Sequence, residues 1–362
     1  MLYMDKNYTI LFTLLRAALH NKYEAIPNCA DWETVFLLAS KHGVAPIAWD
    51  GLNKLYEHQC IALDAFPNFK IKMRWIASVL FTERNQKIQE EALKSLDSQL
   101  EQNGIRMLLF KGLSVGSYYP NPSHRYSCDI DVYALDGSLK VLEQCIVNDG
   151  GRLGDKNRKH STADYKSVHF ELHNAFVYRC CSRKIARIND DLVHRLKDAQ
   201  NLLDFKYIYR PSLEFETLFV LLHAASHYKT EGIAIRHIID FALLEKKQNF
   251  ELDEVWLSKN GLIDFARLLN KFSRDFLGFD TPEEKCICNA SIYNRVFDDI
   301  LNPAILNSSN CESKVKLLKK KYDRFTSRKW VYPIVGDNFW YAIWGSIMNH
   351  IIEPVSIFRG SK

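Results

Sequence analysis

The sequence lacks a membrane-length apolar run, a cysteine framework and a dominant charge, and each absence closes off a class of protein. The stretch "FWYAIWGSIMNHII" is apolar for about 14 residues, roughly 21 Å as a helix, against a bilayer core of about 30 Å. It reads as a buried helix, and no transmembrane segment is expected. The opening "MLYMDKNYTILFTLLRAALH" lacks the basic flank of a secretory signal, because Asp5 weakens it and Arg16 interrupts the apolar patch; an amphipathic helix is expected there instead. Nine cysteines, an odd number, show neither a disulfide-module rhythm nor a paired C-x-x-C zinc pattern, so a reducing, cytoplasmic setting is the default. The formal charge of +5 permits an anionic ligand such as a nucleotide without demanding one. No internal repeat, low-complexity segment or module that reads RNA or DNA bases is present.

What remains is a chain of 362 residues with 47% hydrophobic content, enough for one large or two ordinary domains. Residues 1–104 have helical character. In "DWETVFLLASKHGVAP", Asp31 can cap a helix whose apolar face is Trp32, Val35, Phe36 and Ala39, and Gly43 stops it before Pro46. The segment "ERNQKIQEEALKSLDSQLEQNG" carries Leu93, Leu96 and Leu100 at helical spacing and ends at Gly104. Residues 105–205 change character. Short strand-like runs at "IRMLLFK", "DIDVYAL" and "SVHFELHNAFV" alternate with helical "LSVGSYY" and "SLKVLEQCIVNDG", which predicts a small mixed sheet. Helices return over 206–362, where Ser212 can cap and Glu214 and Glu216 favour a helix start ahead of "TLFVLLHAASHY". The expected class is α+β, a small mixed β-sheet core between N-terminal and C-terminal helical regions.

The chemistry concentrates in that core. On a strand, Asp129 and Asp131 share one face while Ile130 and Val132 take the other. Their Cα atoms would lie about 6.6 Å apart, and two inward-leaning carboxylates can bracket a divalent cation with Mg–O bonds of about 2.1 Å. Without a ligand such a pair repels itself, which favours a functional reading. The same period in "VHFELH" puts His169, Glu171 and His173 on one face, making Glu171 a third carboxylate. Lys111 and Gly112 end the first strand, where a glycine lets phosphate approach backbone N–H groups and a lysine adds charge.

At "FKG" (110–112), "RYSCDID" (125–131) and "FELH" (170–173) the chain resembles the DNA polymerase beta nucleotidyltransferase superfamily, most closely a bacterial subgroup of uncharacterised proteins. The flanks "DWETVFLLASKHGVAP" and "LLHAASHYKTEGIAIRHIIDFALL" are similar too, so the resemblance spans roughly residues 10–250. It implies transfer of a nucleotidyl group from an NTP donor to an acceptor hydroxyl on a protein, an RNA or a small molecule. Asp129, Asp131 and Glu171 would hold Mg²⁺ or Mn²⁺, and Glu171 would also help deprotonate the acceptor. Lys111, Gly112, Ser114 and Arg125 would contact the nucleotide. The superfamily commonly has Gly-Ser or Gly-Gly at its first turn, whereas this chain has Gly112-Leu113-Ser114.

Other readings of the same residues stay open. A non-catalytic nucleotide- or partner-binding module would keep the fold without turnover. His169, Glu171 and His173 could instead form a zinc site, and in that case the protein is a hydrolase. His223 and His227, four residues apart on a helix with His237 and Asp240 following, suit a metal but are more often packed core histidines. "KVKLLKKKYDRFTSRKW" describes a basic amphipathic helix with Val315, Leu318, Tyr322 and Phe325 in its stripe, either solvated or facing a polyanion.

Overall fold

The computed structural model describes residues 4–27, 30–136, 138–157, 159–177, 183–202, 204–247, 253–302, 323 and 326–344. The chain begins with three helices, α1 (Lys6–His20), α2 (Trp32–Lys41) and α3 (Ala45–Glu57). Asp5 and Asp31 cap the first two by accepting from the amides of Asn7 and Thr34. Trp32, Val35, Phe36 and Ala39 are the buried positions of α2, as the spacing predicts. α1 and α3 cross closely: a Cβ on Gly51 would lie 1.9 Å from the Leu14 carbonyl oxygen, so only glycine fits there.

Helix α4 (Phe69–Asn103) is longer than its polar second half suggests, with 35 residues. Its two halves bury different faces. Ile71 and Trp75 pack into the N-terminal helices, whereas Ala92, Leu93, Leu96 and Leu100 pack on the sheet. Trp75 is fully buried and donates its indole N–H to the Ala45 carbonyl; truncation to alanine would cost about 3–5 kcal/mol. Gly104, with φ +65°, ends the helix in the left-handed conformation.

The core follows: β1 (Met107–Phe110), α5 (Gly112–Gly116), β2 (Asp129–Ala134), α6 (Leu139–Asn148), β3 (Arg152–Lys156), β4 (His160–Tyr165), β5 (Val168–His173), α7 (Arg183–His194), β6 (Gln200–Asn201) and β7 (Ile208–Arg210). The seven strands form one sheet in the order β3-β4-β5-β2-β1-β7-β6. β2 pairs parallel with β5 and antiparallel with β1; β1 pairs parallel with β7. The α+β class is therefore as expected. β3 and β4, two strands beyond those expected between "SLKVLEQCIVNDG" and "SVHFELHNAFV", complete one edge of the sheet. β3 is exposed along its whole length, and the buried face of β4 is only Ser161, Ala163 and Tyr165, a weak hydrophobic signal.

The C-terminal helices are α8 (Leu213–Thr230), α9 (Ile235–Lys247), α10 (Glu254–Lys259), α11 (Ile263–Phe272) and α12 (Ala290–Leu301). Ser212 caps α8 through the Phe215 amide. These helices share one continuous core with α1–α3, and that core covers the sheet face bearing Leu108 and Phe110. The opposite sheet face, with Met107, Leu109, Ile130, Val132, Val168, Phe170 and Leu172, packs against α4 and α6. Among the described residues no helix is long and apolar enough to cross a membrane.

Candidate active site

The pairing of β2 with β5 assembles the carboxylates. In parallel register Asp129 lies opposite His169 and Asp131 opposite Glu171. Ile130, Val132, Phe170 and Leu172 sink into the core under α6, which leaves Asp129, Asp131, Glu171 and His173 on the other face, towards α8. Asp131 is buried, and both its oxygens are engaged. Oδ2 lies 2.8 Å from Lys111 Nζ, and Oδ1 lies 2.8 Å from His173 Nε2. Burial pushes the Asp131 carboxyl up, but Lys111 and His173 together hold it well below the usual range. Asp129 is half-buried, with the Cys128 thiol 3.6 Å from its Oδ1. The two aspartates are thus unequal: Asp131 is buried against a lysine and a histidine, and Asp129 is half-buried beside a thiol.

Lys111 reaches Asp131 from an unusual backbone. Its φ of 58° and ψ of −143° belong to a region that glycine favours, and Gly112 follows with φ +28°. A lysine is held there because the turn is pinned from behind. Glu216 Oε1 accepts from the Lys111 amide at 3.0 Å, and Glu216 Oε2 accepts from the Ser114 hydroxyl at 2.8 Å. Glu216 is fully buried, and burial pushes its carboxyl up to about 8. Glu216 lies in the first turn of α8, as sequence spacing predicts, and from there its carboxyl brackets the Lys-Gly turn.

The nucleotide-contact candidates consequently divide. Lys111 and Gly112 stand at the carboxylates. The Ser114 hydroxyl is committed to Glu216, and Arg125 forms a two-bond fork with Asp240, its Nε 3.0 Å from Oδ1 and its Nη2 2.8 Å from Oδ2. Tyr119 donates to the same Asp240 Oδ1 at 2.6 Å. Asp240, considered above beside a possible histidine metal set, is the anchor of this network.

Histidines surround the carboxylates. His169 turns to Asp164 at 2.8 Å, away from Glu171, so the trio His169, Glu171 and His173 does not assemble. His160, opposite His173 on β4, takes the position that His169 leaves, with Nδ1 3.6 Å from Glu171 Oε2. On Glu171, burial acts upward, while the hydrogen bond from His173 and the nearby His160 and Lys111 bring it below its ordinary value. Lys159, just before β4, is a second cation in the field of Asp131, Glu171 and Asp129; burial first and Lys111 second lower its pKa. His223 stacks on Phe219, which meets Phe110, which in turn meets His173. Burial and then Lys111 hold His223 well below its ordinary value. His227 and His237 stand behind it, with ring centroids 4.4 Å and 6.1 Å from that of His223. His160 and Lys159 escaped the sequence reading because β4 did; the pairing of His160 with the "ELH" strand was the available signal. Most of the basic helix at 314–329, including Lys319, Lys320 and Lys321, lies outside the described residues.

No curated protein matches the chain. Among solved structures, the chain is similar to the solution structure of the antibiotic-resistance factor ANT(2'')-Ia, with 12% identity and a TM-score of 0.35 over 47% of this chain and 90% of that chain. It is also similar to the crystal structure of ANT(2'')-Ia in complex with adenylyl-2''-tobramycin, with 12% identity and a TM-score of 0.33 over 49% of this chain and 97% of that one. A family model described as "uncharacterised nucleotidyltransferase" matches residues 28–276, from α2 through the carboxylate strands and into the C-terminal helices. The chain belongs to this nucleotidyltransferase family and is a transferase of that class.

Proposed function

We propose that the protein transfers a nucleotidyl group from an NTP to an acceptor hydroxyl at the face formed by Asp129, Asp131 and Glu171. The observation that supports this most is the register of β2 with β5, which puts three carboxylates and the Lys111 ammonium on one patch of sheet. Asp129 and Glu171 are only partly buried, so oxygens remain for a divalent cation beside Asp131. Mg²⁺ or Mn²⁺ held by Asp129, Asp131 and Glu171 would offset triphosphate charge.

The remaining work falls to the chain's own groups. Lys111 and the Gly112 backbone meet the phosphates, while Ser114 and Arg125 act from behind, through Glu216 and Asp240, to keep the turn in shape. The acceptor oxygen bonds to the α-phosphorus, the bond to the leaving pyrophosphate breaks, and Glu171 takes the hydroxyl proton. The helical flanks would choose the acceptor, be it a protein, an RNA or a small molecule. The test is a screen of labelled NTPs with Mg²⁺ or Mn²⁺ against cell extract, with nucleotide titration of the pure protein alongside. Label moving to one acceptor, and lost with Asp129→Asn, is the expected result. Nucleotide binding with no transfer would make the chain a binding module, and neither binding nor transfer would overturn the reading.

A further inference from the structure

We propose that His160, Glu171 and His173, with Asp131 alongside, form a binding site for a divalent first-row transition metal of the zinc type. Strand register brings the groups together. On the antiparallel pair β4 and β5, His160 and His173 are directly opposite, so both rings leave the same face. Glu171 is two residues from His173 on β5 and shares that face, and Asp131 is opposite Glu171 on β2. The ligand atoms of His160, Glu171 and His173 all lie within 4.8 Å of one another.

The distances suit a small cation. Bonds of about 2.0–2.1 Å in a tetrahedron give ligand-to-ligand edges of about 3.3 Å. Here His173 Nε2 is 3.4 Å and His160 Nδ1 is 3.6 Å from Glu171 Oε2. Two further observations point to a ligand. His160 Nδ1 is a buried atom with no hydrogen-bond partner. Both ring nitrogens of His173 face oxygens that can only accept in their present states: Nδ1 is 3.3 Å from the Ala175 carbonyl and Nε2 is 2.8 Å from Asp131 Oδ1. A neutral imidazole has one N–H for these acceptors: given to the Ala175 carbonyl, it leaves Nε2 to bind a cation in place of the proton that otherwise links His173 to Asp131 and Glu171. A backbone carbonyl that fixes the tautomer of a histidine is also the usual support for a metal ligand.

Ligand chemistry sets the class of metal. Mg²⁺ takes oxygen ligands and gives up water reluctantly, whereas two imidazoles with carboxylates favour zinc, cobalt or nickel. The site stands whether or not nucleotidyl transfer is the reaction, because it is assembled without nucleotide.

The experiment uses the full chain, stripped with chelator and free of nucleotide, titrated with Zn²⁺ by calorimetry and with Co²⁺ by visible absorption. One ion per chain is expected, retained against about a hundredfold excess of Mg²⁺. His160→Ala should weaken zinc binding by at least about tenfold, whereas His169→Ala, whose ring serves Asp164, should leave it unchanged. Thermal melts followed by circular dichroism confirm folding, and His160→Gln replaces the alanine variant if that one does not fold. Zinc affinity unchanged in the folded His160 variant, or metal displaced by that excess of Mg²⁺, would overturn the proposal. NTP titration of the same samples reports separately on the proposed donor site.

Discussion

Lys111 Nζ and Asp131 Oδ2 lie 2.8 Å apart, with the carboxylate only 1% exposed. A buried pair of this kind is destabilising to break from one side, because the surviving charge stays desolvated. Asp131→Asn should therefore destabilise the fold by about 3 kcal/mol, and Asp129→Asn should leave it nearly unchanged. Both should weaken cation-dependent nucleotide binding. Denaturant unfolding and calorimetry check the two effects, and equal stability losses would refute the asymmetry between the aspartates.

Glu171→Gln keeps size and hydrogen bonding but removes the proton acceptor. Nucleotide affinity should fall less than in the aspartate variants, while single-turnover transfer falls by about 10²- to 10⁴-fold, the usual worth of a positioned general base. Transfer at the wild-type rate would remove Glu171 from the catalytic set and turn attention to Asp164, the nearest upstream candidate.

The Arg125–Asp240 fork makes a different kind of prediction. Asp240→Asn leaves a buried guanidinium without its counter-charge and should cost about 3–5 kcal/mol. Arg125→Lys cannot reproduce two parallel bonds and should also lower the melting temperature. If Arg125 acts through the turn, nucleotide affinity in the folded Arg125→Lys protein should change by less than about threefold; a loss confined to triphosphates would make it a direct phosphate contact.

His124 sits between Asp50, 2.8 Å from Nδ1, and Glu83, 3.1 Å from Nε2, joining α3 and α4 to the loop ahead of β2. Burial lowers its pKa, yet the two carboxylates outweigh burial and raise it above 6.5. Its stabilisation is therefore full below the unfolded value and is lost as pH rises through the raised folded value. The melting-temperature gap between wild type and His124→Gln should be widest at about pH 6 and narrow in alkali. A gap that does not vary with pH would refute the charged clamp.

Glu216 gives a second pH effect with its own variant. Its carboxyl is raised from 4.5 to about 8, so the folded protein holds a proton that the unfolded chain has released. Stability should decline from about pH 4.5 towards pH 8 on this account, and Glu216→Gln should flatten that decline. An unchanged pH profile in the glutamine variant would show that Glu216 is ionised in its bracket.

Local periodicity was enough to locate much of this protein. Alternation over "DIDVYAL" and "VHFELH" set Asp129, Asp131 and Glu171 on the faces where β2 and β5 display them, and helical spacing found the buried side of α2. Asp31, Ser212 and Gly104 marked helix ends because capping depends on a few adjacent residues. Partnership between distant segments has no such local signature. Tertiary packing alone decided that Ser114 serves Glu216, that Arg125 serves Asp240 and that Asp131 is paired with Lys111 and bonded to His173. It also replaced His169 by His160 beside Glu171, since β4 carries too little apolar contrast to be seen until β5 pairs with it. Residue type and spacing fix which face a side chain can occupy; what it meets there depends on strands and helices brought together from remote parts of the chain.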